Sequence, residues 1–269
     1  MKNIFFTKYI IVFFISNYCN GEITSNVSFG IDALLNSSHK YNGKSICLFT
    51  NSGAVNENTQ TSVELLQKKF DLAAQKSLGN YSFYLGASNH NIEEIKKVDT
   101  NLAAGLKVFM GASTGDMLVD NPDTLEDIFK YCPVNIVTHC EDTPRILENE
   151  KLFTEKYGDD LNPTHHPYIR DDISCYLSSS MAIDLAKRND ANLHVLHLTT
   201  KKEMEQFQSG AIDNKKITAE VCVHHLRFNE HDYIELGNQI KCNPSIKKEE
   251  DRAAVMNALL NDQIDIIAT

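Results

Sequence analysis

The chain has 269 residues, of which 42% are apolar and 23% are charged. That length suits one large α/β domain or two small ones, with enough chain to bury a sizeable core. The formal net charge of −10 opposes non-specific binding to nucleic acid, so nucleic acid is excluded as an expected partner. The sequence contains no block of like charges, no low-complexity tract and no internal repeat.

The N-terminal segment and the cysteines point to different compartments. Residues 1–21 combine a short basic start with an apolar stretch, which resembles a signal peptide. The stretch is too short, and too interrupted by Lys8, for a stable membrane span. The seven cysteines are odd in number, widely spaced and without a CxxC pair, as reduced thiols in a cytosolic protein are. We therefore expect a cytoplasmic protein, with secretion as the alternative if residues 1–21 act as a signal.

From residue 45 onwards, apolar runs typical of buried strands alternate with helical patterns. The predicted strands are 45–51, 80–88, 104–111, 134–142, 193–200, 217–226 and 264–269. The predicted helices are 59–77, 91–101, 121–132, 143–157, 174–189, a helix that begins at 201, and 249–261.

This alternation predicts an α/β fold with a parallel sheet, of the (β/α)8 TIM-barrel kind. Only six or seven strand–helix units can be counted where a closed barrel needs eight. Residues 1–44 offer no clean first strand, and no helix follows 264–269. We therefore expect an incomplete barrel, with 1–44 as a divergent N-terminal segment and 45–269 as the barrel domain.

Three residues at the ends of apolar runs are the candidate site: Lys107, His139 and His197. Side chains at the C-terminal ends of barrel strands converge on one mouth, where the active site lies. Burial lowers the pKa of a lysine, and the neutral amine can then form a carbamate that bridges two metals. The alternative is a lysine whose head reaches solvent. Neutral imidazole nitrogens suit zinc, so the three residues together favour a two-metal site.

Two asparagines, Asn51 and Asn243, also end apolar runs. Their side chains could bind a planar amide or imide, or they could be ordinary turn residues.

The other histidines are weaker candidates. The spacing of His194 predicts a side chain in the helical layer. His224 and His225 are adjacent, so in a strand they face opposite sides and at most one enters the barrel. His165 and His166 lie in a polar segment, where exposure to solvent is expected.

Eight blocks of the sequence, in order, carry a resemblance to a known family. From about Asn51 to Thr269 the chain resembles a dihydroorotase of the amidohydrolase superfamily; allantoinase is a close relative that is harder to separate. The blocks are NYSFYLGASN, GLKVFMGASTGDMLVDN, THCED, HHPYIR, LHVLHLTT, ITAEVCVHHL, KCNPSIK and DIIAT.

The resemblance implies a metal-dependent (β/α)8 barrel that hydrolyses a small cyclic amide, with water activated by metal attacking the ring carbonyl. In the reverse direction carbamoyl aspartate closes to dihydroorotate, a step of pyrimidine biosynthesis. Lys107 would be the carboxylated ligand that bridges two zinc ions. His139 and His197 would bind the second zinc, and Asn51 and Asn243 would hold the substrate. The family also suggests a homodimer.

Two of the chain's departures from the family pattern bear on the metal site and catalysis. The family's first strand carries a His-x-His pair followed by a substrate-binding arginine, whereas residues 1–50 contain only His39. The family's catalytic aspartate, both metal ligand and general base, would lie beyond Thr269, so no catalytic residue is assigned. For this chain by itself we expect weak zinc binding and little or no activity. The alternatives are an inactive dihydroorotase-like binding or scaffold protein, a fragment, and an allantoinase-like hydrolase.

Overall fold

The computed structural model describes residues 10–13, 46–49, 62–111 and 117–269, with side chains described from residue 68 onwards within these ranges. Strands β1 to β8 are Ile10–Phe13, Ile46–Phe49, Phe83–Gly86, Ala103–Phe109, Ile136–His139, Leu193–Val195, Ile217–Cys222 and Ile266–Ala268. Helices α1 to α10 are Ser62–Lys76, Ile92–Ile95, Pro122–Tyr131, Thr143–Tyr157, His166–Ile169, Asp172–Asn189, Lys201–Met204, Val223–Arg227, Tyr233–Leu236 and Glu249–Leu260.

All of these strands run parallel. Strands β3 to β8 form one sheet in chain order, and β1 pairs with β2 in a second sheet. Strand β2 lies beside β3, and β1 lies beside β8. Among the described residues no hydrogen-bonded pairing joins the two sheets. The predicted parallel α/β architecture, an incomplete (β/α)8 barrel, is therefore confirmed.

The structure supplies a strand in the segment for which the sequence offered no clean candidate. Ile10 is in register with Ile46, and Phe13 with Phe49. The run IIVF favours a strand because β-branched and aromatic residues fit a pleated surface. The same apolar run is equally typical of a signal peptide, so the local pattern alone is ambiguous.

Each strand from β3 to β8 has one face toward the helices and one inside the barrel, because successive side chains alternate. On the outer face, Leu106 and Ile136 pack with helix residues such as Ile128 in the main core. On the inner face, a smaller cluster is formed by Val137, Leu196, Cys222 and Ala268.

Side-chain caps set the turns that lead from strands into helices. Asn121 accepts hydrogen bonds from the first N–H groups of α3. Asp142 accepts from Arg145 N at 2.9 Å, and Asp171 accepts from Ser174 N at 2.9 Å. Such caps satisfy N–H groups that have no partner within the helix. The Arg145 guanidinium also bonds the Asp171 carboxylate, which joins α4 to the start of α6.

Among the described helices, none combines the length and the apolar character needed to cross a bilayer. The cysteines whose side chains are described are free thiols: Cys132, Cys140, Cys175, Cys222 and Cys242.

Candidate functional site

The structure brings Lys107, His139 and His197 together at the carboxyl ends of three neighbouring strands. Lys107 is in register with Val137, and Phe109 with His139. Since side chains two residues apart share a face, Lys107 and His139 both face the interior, as Val137 does. His197 follows the end of β6. All three side chains are buried.

The two histidine rings face each other through single nitrogens. His139 Nδ1 lies 3.1 Å from His197 Nε2, and His139 Nε2 lies 2.9 Å from Glu141 Oε2. A carboxylate only accepts hydrogen bonds, so His139 carries its proton on Nε2 and directs the lone pair of Nδ1 toward His197. Burial lowers the pKa of both imidazoles, that of His197 most strongly. Both rings are therefore neutral at neutral pH.

The backbone of His197 explains how its side chain reaches the mouth. Leu196 belongs to the inner cluster and Leu198 to the outer core, although strict alternation would put both on one face. Between them His197 has a φ of 41°, in the left-handed region that non-glycine residues rarely occupy. This conformation shifts the alternation and turns His197 toward His139. Such backbone costs on the order of 1–3 kcal/mol and concentrates at functional sites.

Lys107 is a buried amine with a strongly altered ionisation. Its Nζ lies 4.5 Å from the centre of the Phe109 ring. Burial lowers the pKa of Lys107 from 10.5 to about 7, against weaker opposing effects of Cys140, Glu220 and Cys222. A large share of the amine is thus neutral at neutral pH, the form that can react with carbon dioxide.

Glu141 and Arg170 support His139, and the sequence did not single them out. Arg170 Nε lies 3.0 Å from Glu141 Oε1, and Arg170 Nη2 lies 2.5 Å from Glu141 Oε2. Burial opposes ionisation of Glu141, but the hydrogen bonds from His139 and Arg170 prevail and hold its pKa well below the usual range. The Arg170 carbonyl in turn accepts from Ser245 Oγ at 2.9 Å and Lys247 Nζ at 2.8 Å.

One signal for Glu141 was present in the sequence. It follows the strand-ending His139 by two residues in THCED, a spacing that keeps both side chains on the inner face. Arg170 carries no comparable local signal, because it lies 29 residues further along the chain.

Of the two predicted substrate residues, Asn51 lies outside the described residues, and Asn243 lies exposed in the segment before α10. His166 Nε2 lies 2.9 Å from the Cys242 carbonyl and 3.1 Å from Asn243 Oδ1. Burial lowers the pKa of His166 to about 4, so the neutral ring donates from Nε2. The expectation of an exposed His166 is therefore wrong: its ring is buried, edge-on to Tyr233.

The prediction that His194 points into the helical layer is also wrong. Leu193 and Val195 take the outer positions of β6, which leaves His194 on the inner face. There its Nδ1 lies 2.8 Å from Thr218 Oγ1, and its Nε2 lies 3.3 Å from Glu220 Oε2. His194 therefore supports the barrel interior below the site.

His224 and His225 do not lie in a strand as predicted. Strand β7 ends at Cys222, and both histidines belong to the short helix α8. Their ring centres lie 4.2 Å apart, so they do not face opposite sides of a sheet. His165 is half-buried and stacks on Tyr157 at 4.1 Å.

The donor atoms at the mouth fit zinc. Two nitrogen ligands of a tetrahedral zinc, each bound at about 2.0–2.1 Å, lie roughly 3.4 Å apart. His139 Nδ1 and His197 Nε2 are 3.1 Å apart and now share one proton, which a metal between them would replace. The Glu141 carboxylate behind His139 is the kind of partner that orients zinc-binding histidines. Lys107 would add an oxygen donor only as a carbamate.

No family model matches the chain. In sequence it is 25% identical over 212 residues to an allantoinase of Bacillus velezensis, a match that covers 77% of this chain and 46% of the relative. It is 34% identical over 137 residues to a dihydroorotase of Bacillus cereus, covering 50% of this chain and 30% of the relative. The chain thus spans less than half the length of these curated relatives.

Solved structures share the fold. An L-hydantoinase (dihydropyrimidinase) from Arthrobacter aurescens superposes with a TM-score of 0.74 at 21% identity, over 87% of this chain and 51% of that one. An inactive dihydroorotase-like domain of a Chaetomium thermophilum CAD-like multifunctional protein superposes with a TM-score of 0.56 at 16% identity, over 88% and 57%. The predicted resemblance to cyclic amidohydrolases of the amidohydrolase superfamily is confirmed.

Proposed function

We propose that this relative of the cyclic amidohydrolases binds zinc at its barrel mouth and hydrolyses, or in reverse forms, a cyclic amide. Dihydroorotate is the first candidate substrate. One observation carries the proposal: two neutral ring nitrogens, on His139 and His197, lie 3.1 Å apart near a buried lysine of lowered pKa. The sequence match to dihydroorotases supports the substrate.

Three residues would hold the metal. His139 and His197 would bind zinc through their ring nitrogens, and Lys107, carboxylated on Nζ, would add an oxygen ligand. Zinc bound there would supply Lewis-acid activation of the amide and of the attacking water. Glu141 is a positioning residue in this scheme, because its hydrogen bond holds the His139 proton on Nε2 and leaves Nδ1 for the metal.

The substrate would be held by amide side chains. Asn243 Oδ1 lies 3.1 Å from the protonated Nε2 of His166, so its oxygen already has a partner. Its NH₂ group is left to donate to a carbonyl of the ring. We extend the same role to Asn51 on the strength of the family resemblance.

A second candidate is an allantoinase-like hydrolase. The observation that favours it is coverage: the allantoinase match extends over 77% of the chain, against 50% for the dihydroorotase match. Both candidates use the same metal-binding residues and differ in the ring that is opened.

The test uses the full chain, loaded with zinc and carbon dioxide. Zinc content is measured together with ring opening of dihydroorotate and of allantoin. We expect His139→Ala and His197→Ala to lower zinc content and abolish turnover, while His165→Ala, which changes a histidine outside the site, leaves both unchanged. Faster opening of allantoin would support the second candidate. Zinc binding without turnover of either ring would refute the hydrolase and favour an inactive binding protein. Zinc content that stays at the parent level in both histidine variants would refute the site itself.

The division between residues 1–44 and 45–269, the homodimer and the cytoplasmic location stay predictions from the sequence. Light scattering on the purified chain tests the homodimer directly.

A further inference from the structure

A second group of metal-binding side chains lies close to the first site and uses none of its residues. Cys222 Sγ and one ring nitrogen each of His224 and His225 all lie within 4.8 Å of one another. The cluster exists because β7 ends at Cys222 and the chain turns at once into α8. That turn places on one side two rings that a strand would have separated.

His225 presents a nitrogen prepared for a ligand. Its Nε2 lies 3.1 Å from the Pro244 carbonyl, which only accepts, so Nε2 carries the proton and Nδ1 keeps its lone pair. Nδ1 is buried and has no hydrogen-bond partner among the described residues, and the whole residue is 5% exposed. A buried acceptor left without a partner is costly. A metal ion would satisfy it.

The other two donors complete a set of one sulfur and two nitrogens. Cys222 is 2% exposed, and burial raises the pKa of its thiol, so metal binding must displace the thiol proton. His224 is half-buried, and burial lowers its pKa. Thiolate and imidazole ligands select zinc and similar transition metals over magnesium or calcium.

The spacing is close to what zinc needs. Ligand atoms bound tetrahedrally at about 2.0–2.3 Å lie roughly 3.4–3.8 Å apart, so a contraction of at most about 1.4 Å brings donor atoms that lie within 4.8 Å of one another to these distances. His224 is only half-buried, so its ring can supply most of that movement. With three protein ligands, one coordination position is left open.

We propose that Cys222, His224 and His225 form a second binding site for a zinc-like divalent transition metal, separate from the site of Lys107, His139 and His197. The two sites are neighbours, because His197 follows the end of β6 and Cys222 ends β7, which pairs with β6. This proposal does not depend on hydrolase activity.

Cobalt titration of the full chain tests it, because a cobalt–thiolate bond gives a charge-transfer absorption band that lysine and histidine ligands do not. We expect the band to appear within the two equivalents of cobalt that both sites together can bind, and to vanish in Cys222→Ser. His225→Ala should weaken cobalt binding by more than the roughly 10- to 100-fold that loss of a supporting partner costs. Cys132→Ser, which changes a partly buried thiol elsewhere, and His139→Ala should both retain the band.

Absence of the band in the parent chain, or its survival in Cys222→Ser, would overturn the proposal. Circular dichroism establishes that each variant is folded. If Cys222→Ser does not fold, His224→Ala decides, because its ring is partly exposed and its loss leaves the core intact. Unchanged cobalt affinity in that variant would also overturn the site.

Discussion

Burial of Lys107 has a cost that can be measured as a pH-dependent loss of stability. The pKa of Lys107 is about 7 in the folded chain, against 10.5 for an exposed lysine. Between these two pH values the lysine is protonated in the unfolded chain but mostly neutral in the folded chain. By proton linkage this corresponds to about 4 kcal/mol at neutral pH. We expect Lys107→Met, which keeps the length and removes the charge, to raise the free energy of unfolding by about 2–4 kcal/mol there.

The sign of the pH dependence follows from the direction of the shift. The folded pKa is lowered, so the destabilisation is fully present below it and fades as the pH rises toward the unfolded value of 10.5. The stability difference between Lys107→Met and the parent should therefore be largest at or below neutral pH. It should then shrink by up to about 1.4 kcal/mol per pH unit as the solution becomes alkaline.

Urea unfolding of both proteins across this range measures the difference directly. The samples must be free of metal and depleted of carbon dioxide, because a carbamate on Nζ would replace the cation with an anion. Lys241→Met, at an exposed lysine, is the matched control and should change stability by no more than about 0.5 kcal/mol. If Lys107→Met is no more stable than the parent, or if the difference does not vary with pH, the reasoning from burial is refuted.

Three further changes probe the residues around the site. Glu141→Gln leaves the Arg170 guanidinium without a counter-charge, so the free energy of unfolding, measured with urea, should fall by about 3–5 kcal/mol. Zinc titration should show an affinity lower by roughly 10- to 100-fold. Unchanged zinc affinity would contradict a positioning role for Glu141. Gly111→Ala would place a Cβ 1.7 Å from the Glu141 carbonyl oxygen, so we expect a loss of at least about 1–3 kcal/mol from the forced backbone shift; wild-type stability would contradict that close approach. His166→Phe removes the hydrogen-bond donor to Asn243, so KM for the cyclic amide should rise while kcat changes little. Because burial holds the pKa of His166 at about 4, this rise in KM should not vary around neutral pH. A fall in kcat alone would point to another role for His166.

Local pattern was enough to identify strands β2 to β8, though not β1, and to place Lys107 and His139 near the ends of two of them. The runs before Lys107 and His139 are apolar and are followed by polar residues that begin helices. That pattern specifies buried parallel strands, because only apolar side chains fit a sheet covered on both faces. The parallel order and the convergence of these residues on one mouth then follow from the barrel architecture.

Partners that are distant in the chain could not be read from the pattern. Glu141 pairs with Arg170, and the Arg170 carbonyl with Lys247, across 29 and 77 residues. His166 was expected in solvent and is instead buried against the segment that carries Asn243. These contacts depend on how loops fold over the mouth, and the residues involved show no periodicity.

His139 and His197 show most clearly what the sequence determines and what the tertiary structure decides. Both follow similar apolar runs in the sequence. Regular strand alternation places His139 inside the barrel, because it continues the face of Val137. The same alternation would turn His197 outward. Only the tertiary structure brings it to His139, through a left-handed φ of 41° and a hydrogen bond from its backbone N–H to Glu220 at 3.4 Å. Local periodicity thus determines where the strands end and which residues stand there. The approach of His139 Nδ1 to His197 Nε2 depends instead on a backbone conformation that only the surrounding fold can hold.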